Sequence, residues 1–178
     1  MVPPLDYVYA TAEARMGLAI DLARTNVAKR TGGPFGAAIF DTETHRLLAP
    51  GLNLVVSSQS SVAHAEMVAI MTAQRTLGRF DLASLPPRRF ELFTSCEPCA
   101  MCFGAIPWSG IHRVVCAASE RDARQIGFDE GSKPADWQAE LEKRGIEVVR
   151  DLCRQEAAAV LESYHQGGGM IYNAALQA

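Results

Sequence analysis

The sequence predicts an α/β domain in three layers, with a mixed sheet of five strands between helices on both faces. Segments that alternate between apolar and polar residues recur along the chain, separated by segments with helical spacing. The first two strand segments follow each other directly, whereas the later ones alternate with helices, an order that favours a mixed sheet. The 178 residues, 48% of them hydrophobic, contain no repeat and no low-complexity linker, so one domain spanning residues 1–178 is expected.

Five segments are predicted as strands because their apolar residues alternate or form short apolar runs. The first two flank a polar turn over residues 41–46 and therefore form a β-hairpin. The predicted strands are residues 34–40, 47–56, 89–94, 111–118 and 146–149.

Helices are predicted where apolar residues recur every three or four positions, and start and stop signals bound several of them. Thr31-Gly32-Gly33 ends the first helix, and Ser119 with Asp122 three residues later begins a short one as a capping pair. Gly167-Gly168-Gly169 separates the last helix from an apolar tail. The predicted helices are residues 10–29, 62–77, 98–108, 119–124, 134–144 and 152–165.

A pair of cysteines forms half of a metal site. Cys99 and Cys102 are three residues apart, and Pro98 stands where a helix would begin, so both thiols are expected on the first turn of that helix. The partial positive charge of a helix N-terminus favours the thiolate, which is the form that binds metal. His64, at the entrance of another predicted helix, supplies a third ligand.

Three protein ligands leave a tetrahedral Zn²⁺ with one position for water, which is the arrangement of a catalytic zinc site rather than a structural one. The sequence therefore predicts one zinc ion per chain, held by His64, Cys99 and Cys102. Glu66, two residues after His64, is placed to reach that water and to pass a proton from it to a leaving group.

Two other interpretations use the same cysteines. Cys96 would complete a closed four-ligand structural site, but it ends a predicted strand before Pro98 and is expected to point away from the metal. A thioredoxin-like pair requires a βαβ unit with the cysteines directly after its first strand, and no such unit is predicted. Five cysteines, three of them crowded between residues 96 and 102, do not suit a secreted disulfide framework and favour the cytoplasm.

The charge balance favours a small, uncharged substrate. The formal net charge is −3, from 17 basic and 20 acidic residues, and no basic face of the kind that binds nucleic acid is evident. No apolar run approaches the length of about 18 residues that a membrane span requires, and no charged-then-apolar leader opens the chain. Neither a nucleic-acid nor a membrane partner is therefore expected.

Three places allow both a structural and a functional interpretation from the residues alone. Phe35, after two glycines and a proline, either packs in the core or covers a flat ligand. Asn53 lies between two leucines in a predicted strand, where its amide needs a partner in the backbone or in a ligand. Asp129 and Glu130 stand side by side in a glycine-flanked loop, facing either solvent or a cleft.

The chain resembles the cytidine deaminase superfamily over nearly its whole length, and within it the zinc-dependent bacterial guanine deaminases. The pattern His-x-Glu followed by Pro-Cys-x-x-Cys is the general signature of zinc deaminases. The runs Gly-Gly-Pro-Phe-Gly and Gly-Phe-Asp-Glu point to the guanine branch. The segments that carry the resemblance are residues 32–36, 53, 63–66, 94–102, 108 and 127–131.

The resemblance implies a cytidine-deaminase-like fold and hydrolysis of guanine to xanthine and ammonia. It implies that Glu66 and Glu130 are catalytic, with Glu130 receiving the amino group of guanine. It further implies a homodimer in which the C-terminal tail, residues 166–178, closes an active site, by exchange between subunits in some members. The residues that would bind the base are Phe35, Asn53, Ala65, Trp108 and Asp129.

Other functions remain open at the level of the sequence. Cytosine, an s-triazine such as ammeline, and adenosine in tRNA are alternative substrates, because ring specificity depends on pocket contacts. A catalytically silent, zinc-stabilised binding module is an alternative of a different class. An intact Glu66 and an incomplete set of protein ligands favour the enzyme.

Overall fold

A central mixed sheet organises the computed structural model, which describes residues 7–173. The strands are β1 (Gly36–Asp41), β2 (Leu47–Leu52), β3 (Phe90–Cys96), β4 (Arg113–Ala118) and β5 (Glu147–Val149). They lie in the order β2-β1-β3-β4-β5. β1 pairs antiparallel with β2 and β3, whereas β3, β4 and β5 run parallel to one another. The sheet is therefore mixed, as the order of the elements predicts.

Two of the helices begin at residues whose side chains cap the first turn. Thr11 begins the first helix by accepting a hydrogen bond from Ala14 N, and Ser119 with Asp122 forms the predicted capping box. Among the helices of the described part of the chain, none combines the length and apolarity that a bilayer span needs. The helices are α1 (Ala12–Lys29), α2 (Val55–Ser58), α3 (Ala65–Leu77), α4 (Ala100–Ser109), α5 (Glu120–Gln125), α6 (Trp137–Glu142) and α7 (Arg154–Gln166).

The helices cover both faces of the sheet. On one face α1, α5 and α7 enclose a core that includes Met16, Phe40 and Leu161. On the other face α3, α4 and α6 enclose a second core that includes Ile39 and Ile106. The neighbours Ile39 and Phe40 of β1 point into different cores, because successive side chains of a strand alternate between its faces. The predicted three-layer α/β/α fold is confirmed.

Three predicted boundaries are wrong. β2 ends at Leu52, and the chain then turns into α2 instead of continuing as a strand to residue 56. Asn53 Oδ1 accepts a hydrogen bond from Val55 N (3.3 Å), and such local side-chain contacts compete with strand pairing. α4 begins at Ala100 rather than Pro98, because Cys99 has the extended conformation of an N-cap (φ −64°, ψ 173°). The helix predicted over 134–144 covers only Trp137–Glu142.

Candidate metal centre and adjoining cavity

Two helix N-termini bring the predicted metal ligands together. His64 is the N-cap of α3 and Cys99 the N-cap of α4, and Cys102 lies in the first turn of α4. The His64 side chain makes no capping hydrogen bond to α3, and its ring faces the thiols of Cys99 and Cys102. β3, which ends at Cys96 in the middle of the sheet, leads the chain directly to Cys99. The expected convergence of the two helices is confirmed.

The distances among the three ligand atoms fit a zinc ion. The Sγ atoms of Cys99 and Cys102 lie 3.4 and 3.7 Å from Nδ1 of His64. Zinc bonds of about 2.3 Å to sulfur and about 2.0 Å to nitrogen, at a tetrahedral angle, place the two ligand atoms about 3.6 Å apart. All three ligand atoms lie within 4.8 Å of one another. The donor set and its spacing therefore suit tetrahedral Zn²⁺.

The electrostatics of the cluster also favour a cation. A hydrogen bond from Cys102 lowers the pKa of Cys99 to about 4, and His64 contributes a further hydrogen bond. The same contact with Cys99 raises the pKa of the Cys102 thiol. Burial alone would lower the pKa of His64, but the hydrogen bond and the charge of Cys99 outweigh it and raise that pKa. A divalent cation attracted by this charge would displace the remaining ligand protons.

Glu66 is a buried carboxylate at the edge of the ligand cluster. It is only 6% exposed, and burial, followed by the negative charge at Cys99, raises its pKa above the ordinary value. Its Oε2 lies 3.4 Å from Cys102 Sγ and its Oε1 3.3 Å from the hydroxyl of Thr94. The sequence pattern did not single out Thr94, which faces Glu66 from β3. Glu66 thus lies beside the ligands without belonging to the three-residue cluster.

Cys96 does not join the cluster. Its Sγ donates a hydrogen bond to the carbonyl oxygen of Ser119 at 3.6 Å. Burial raises the pKa of the Cys96 thiol well above its usual range. The cluster of closely spaced ligand atoms contains His64, Cys99 and Cys102 and does not include Cys96. The closed four-ligand site built on Cys96 is therefore contradicted.

A cavity of about 360 Å³ opens beside the metal cluster. This volume lies near the lower end of the range for small-molecule sites. His64, Cys99 and Glu66 line part of it, and we call this part, with the adjoining Cys102, the metal side. The opposite wall, which we call the ring side, is formed by Phe35, Asn53, Phe128, Glu130 and Tyr172.

Three aromatic rings form one continuous wall of the ring side. Phe35 and Phe128 meet edge to face with their ring centroids 5.0 Å apart, and Phe128 meets Tyr172 at the same distance. Phe35 is partly buried and also packs against the core. The ring of Phe35 therefore both supports the core and lines the cavity.

Asn53 presents a buried amide to the same wall. It is 1% exposed, and its main-chain N donates to the carbonyl oxygen of Phe35 (3.2 Å). Because its Oδ1 accepts from Val55 N, the side-chain NH₂ group is the part left to donate to a ligand in the cavity.

The two neighbouring carboxylates have different surroundings. Glu130 is 6% exposed, and burial, with the negative charges at Cys99 and Glu66, raises its pKa to about 8. Asp129 is exposed, and its Oδ1 accepts from Gly131 N. The Glu130 loop is tied to α4, since Ala100 N donates to the Glu130 carbonyl oxygen (2.8 Å). Of the pair, Glu130 is the buried carboxylate of the ring side.

Comparison with known proteins agrees with this geometry. The profile of the cytidine and deoxycytidylate deaminase zinc-binding region matches residues 10–118. The chain belongs to this family. The guanine deaminase of Bacillus subtilis is 42% identical over 112 residues, which are 63% of this chain and 67% of that protein.

Solved structures of the family resemble the whole fold. The guanine deaminase from Nitrosomonas europaea is 44% identical with a TM-score of 0.87, covering 93% of this chain and 94% of that one. The structure of NE0047 in complex with 2,6-diaminopurine is 47% identical with a TM-score of 0.89, covering 94% of this chain and 88% of that one.

Two residues that the family resemblance assigns to base binding do not line this cavity. Trp108 is 85% exposed and borders a separate surface depression with Phe103 and Ile111. It lies nine positions after Cys99 in a helix that rises about 1.5 Å per residue, so it is at the other end of α4. Ala65 is completely buried behind the cavity wall, in the first turn of α3.

The structure adds residues of the tail to the cavity. Tyr172 and Asn173 line it, and Asn173 Oδ1 accepts from Asp129 N (2.9 Å) while its Nδ2 donates to Gly127 O (2.9 Å). The sequence shows only an apolar tail after three glycines, and nothing in its pattern singles out Tyr172. Residues 174–178 of the predicted closing segment lie outside the described part of the chain.

Proposed function

We propose that this protein is a zinc-dependent deaminase of a free nucleobase, which hydrolyses guanine to xanthine and ammonia. One observation carries the proposal: a single small cavity joins the His64, Cys99 and Cys102 cluster and a buried Glu66 to an aromatic wall with an amide. This combination suits hydrolysis of a flat ring that carries an amino group. The similarity to two proteins named guanine deaminases supports guanine as the ring.

The metal side supplies the activation of water. His64, Cys99 and Cys102 would hold one zinc ion, and they leave one of four tetrahedral positions without a protein ligand. Zinc bound there supplies a Lewis acid that lowers the pKa of a water molecule towards neutrality.

Glu66 carries the proton through the reaction. Its carboxylate lies within hydrogen-bond reach of the ligand cluster, and it takes a proton from the attacking water. Water oxygen bonds to the amino-bearing ring carbon, the bond from that carbon to the amino nitrogen breaks, and Glu66 delivers the proton to the departing ammonia. Burial supports this role, because a raised pKa makes a carboxylate a better proton acceptor.

The ring side holds and orients the base. The edges and faces of Phe35, Phe128 and Tyr172 present apolar surface to a planar ring. Asn53 supplies a hydrogen-bond donor from its NH₂ group to a ring acceptor. Together they leave the amino-bearing carbon facing the metal side.

Glu130 completes the site beside the amino group. Its pKa of about 8 keeps a proton on the carboxyl group near neutral pH unless a neighbouring cation withdraws it. In that state it can both donate to and accept from the amino group of guanine. Asp129 supports the loop by accepting from Gly131 N, and its exposed carboxylate makes it the weaker candidate for contact with the base.

We also infer that residues 1–178 form one domain that assembles as a homodimer. Both cores share the one sheet, which supports a single domain. Large apolar side chains are exposed on the α3 and α4 layer, namely Trp108 (85%), Val62 (51%) and Met71 (46%), and such surfaces are typical of protein interfaces. Light scattering after gel filtration tests this, with Trp108→Glu expected to shift the dimer towards a monomer.

The tail closes the cavity in this proposal. The contacts of Tyr172 and Asn173 with residues of their own chain support closure within one subunit.

A substrate panel tests the proposed reaction. The zinc-loaded protein is assayed for ammonia release from guanine, adenine, cytosine, cytidine and ammeline. We expect the highest kcat/KM for guanine. A higher kcat/KM for another ring would assign the same chemistry to that ring, and no ammonia from any of them would exclude a free-base deaminase.

A further inference from the structure

Asn26 is a buried amide at the C-terminal end of α1 and does not line the cavity. It is completely buried, and its side-chain hydrogen bonds run to loop residues. Its Nδ2 donates to the carbonyl oxygens of Gly33 (2.8 Å) and Asn53 (2.7 Å), and its Oδ1 accepts from the hydroxyl of Thr31 (2.6 Å). Because carbonyl oxygens only accept, the two donor contacts fix the orientation of the amide.

These side-chain bonds are not needed to end the helix. The main-chain N–H groups of Arg30 and Thr31 already donate to the carbonyl oxygen of Asn26, which closes the last turn of α1. The side chain therefore serves another purpose. It joins the segment around Gly33 to Asn53, a residue 27 positions away in the chain.

Gly32 permits the close approach of the two segments. A Cβ atom at Gly32 would lie 2.0 Å from the carbonyl oxygen of Asn53 and 2.7 Å from Nδ2 of Asn26. Both distances are far below van der Waals contact, so a side chain at this position would push the segments apart. Asn26 and Gly32 therefore both support the contact between the segment around Gly33 and Asn53.

The two joined segments are those that carry the ring side. Asn53 N donates to the carbonyl oxygen of Phe35 (3.2 Å), and Gly36 N donates to Ser95 Oγ (3.0 Å) at the end of β3. Asn26 lies behind this pair and holds the backbone on which the Phe35 ring and the Asn53 amide stand. The metal side, by contrast, is built from the N-termini of α3 and α4.

We infer that Asn26 is a positioning residue for base binding, which fixes Phe35 and Asn53 relative to each other and so sets the affinity for the ring. The inference rests on the proposed function, in which both residues contact the base. Since Asn26 makes no hydrogen bond to a metal ligand or to Glu66, its loss is expected to raise KM and to spare kcat.

The experiment compares Asn26→Ala and the milder Thr31→Val with Thr31→Ser, which keeps the hydroxyl donor. Thr76→Val is a matched control, because it removes a threonine hydroxyl bond within α3. We expect Asn26→Ala to raise KM for guanine about tenfold, the scale of one lost buried hydrogen bond, with kcat and zinc content unchanged. Thr31→Val should raise KM less, and Thr31→Ser and Thr76→Val should keep the wild-type value.

Hydrogen exchange measured by mass spectrometry gives a second readout that does not need turnover. We expect faster exchange in peptides covering residues 31–36 and 52–55 of Asn26→Ala and Thr31→Val, with residues 65–77 unchanged. A wild-type KM in both variants, or a fall in kcat together with zinc loss, would overturn the inference. Failure of the wild-type protein to deaminate any base would overturn the proposed function. In that case, faster hydrogen exchange confined to residues 31–36 and 52–55 of the variants would still support Asn26 as the residue that joins the two segments.

Discussion

The metal side and the ring side of the cavity are built in different ways. On the metal side, His64 with Glu66 and Cys99 with Cys102 come from the first residues of two helices, each pair within three positions of sequence. On the ring side, Phe35, Asn53, Glu130 and Tyr172 come from loops and the tail, and contacts between distant segments hold them in place.

The difference separates chemistry from selectivity. A metal site requires its ligand atoms at closely defined distances. The N-termini of two helices packed on the sheet hold the ligands in fixed positions. Recognition of the base depends on which loops contact each other and on the distances between their side chains. We therefore expect changes on the metal side to abolish turnover, and changes on the ring side to alter KM and the choice of ring.

Removal of a metal ligand gives the largest expected effect. Cys102→Ser should lose zinc and reduce turnover to background, whereas Cys116→Ser should keep both. Both cysteines are completely buried, but Cys116 lies in β4 and outside the ligand cluster, so it controls for burial. Zinc content by atomic emission and ammonia release provide the measurements. Equal zinc loss in the two variants would contradict the assignment of the metal side.

Glu66→Gln should be the next most severe change. It keeps the shape of the side chain but removes the proton acceptor, so kcat should fall by roughly 10²–10⁴-fold with zinc retained. The exposed Glu142→Gln serves as the control. Steady-state kinetics and zinc content distinguish the outcomes, and a kcat within about threefold of wild type would remove Glu66 from proton transfer.

Phe35→Ala should act on the ring side. Loss of the aromatic face should raise KM for guanine by about tenfold or more, since a buried aromatic contact contributes ~1–3 kcal/mol, while kcat falls less. Phe80→Ala is the matched control, because Phe80 is 85% exposed. If the substitution lowered kcat alone and left KM unchanged, the division between the two sides would not hold.

The smallest expected effect concerns α5, which leads into the loop that carries Glu130. A hydrogen bond from Arg154 lowers the pKa of Asp122 from 3.8 to about 2. Because the folded pKa lies below the unfolded one, this stabilisation is complete above the unfolded value and is lost as the pH falls through the folded value. Asp122→Asn should lower the free energy of unfolding at neutral pH by about 1 kcal/mol.

Unfolding experiments on wild type and Asp122→Asn, at several pH values between neutral and about 2, measure the contribution of Asp122 to the free energy of unfolding. The difference between the two proteins should shrink as Asp122 becomes protonated. A difference that stays constant down to the lowest pH would show that Asp122 contributes by packing and capping rather than by its charge.

Much of the fold follows from local signals in the sequence. The capping box of Ser119 and Asp122, the end of α1 near Gly32, and the alternation of β3 and β4 are recognisable because each depends on neighbouring residues. The predicted boundary beyond Asn53 was wrong because the side chain of Asn53 accepts a hydrogen bond from Val55 N, which turns the chain out of the strand although the apolar pattern continues.

The residues of the candidate site also fall into two groups, those whose position follows from the sequence and those whose position depends on tertiary contacts. Trp108 was expected at the ring and lies at the far end of α4, whereas Tyr172, which was not singled out within the tail expected to close a site, lines the cavity. A residue's distance from the site along one helix can be calculated from its sequence position. The position at which a tail docks after three glycines cannot be calculated in this way, because it depends on how that tail packs against Phe128 and Gly33.

The amino-acid sequence by itself determined each half of the metal side, because a helical turn places residues two or three positions apart at fixed distances whatever surrounds the helix. Only the tertiary structure decided the ring side. Its members meet through hydrogen bonds and ring contacts between segments far apart in the chain, and these depend on the packing of α1, the sheet and the tail together.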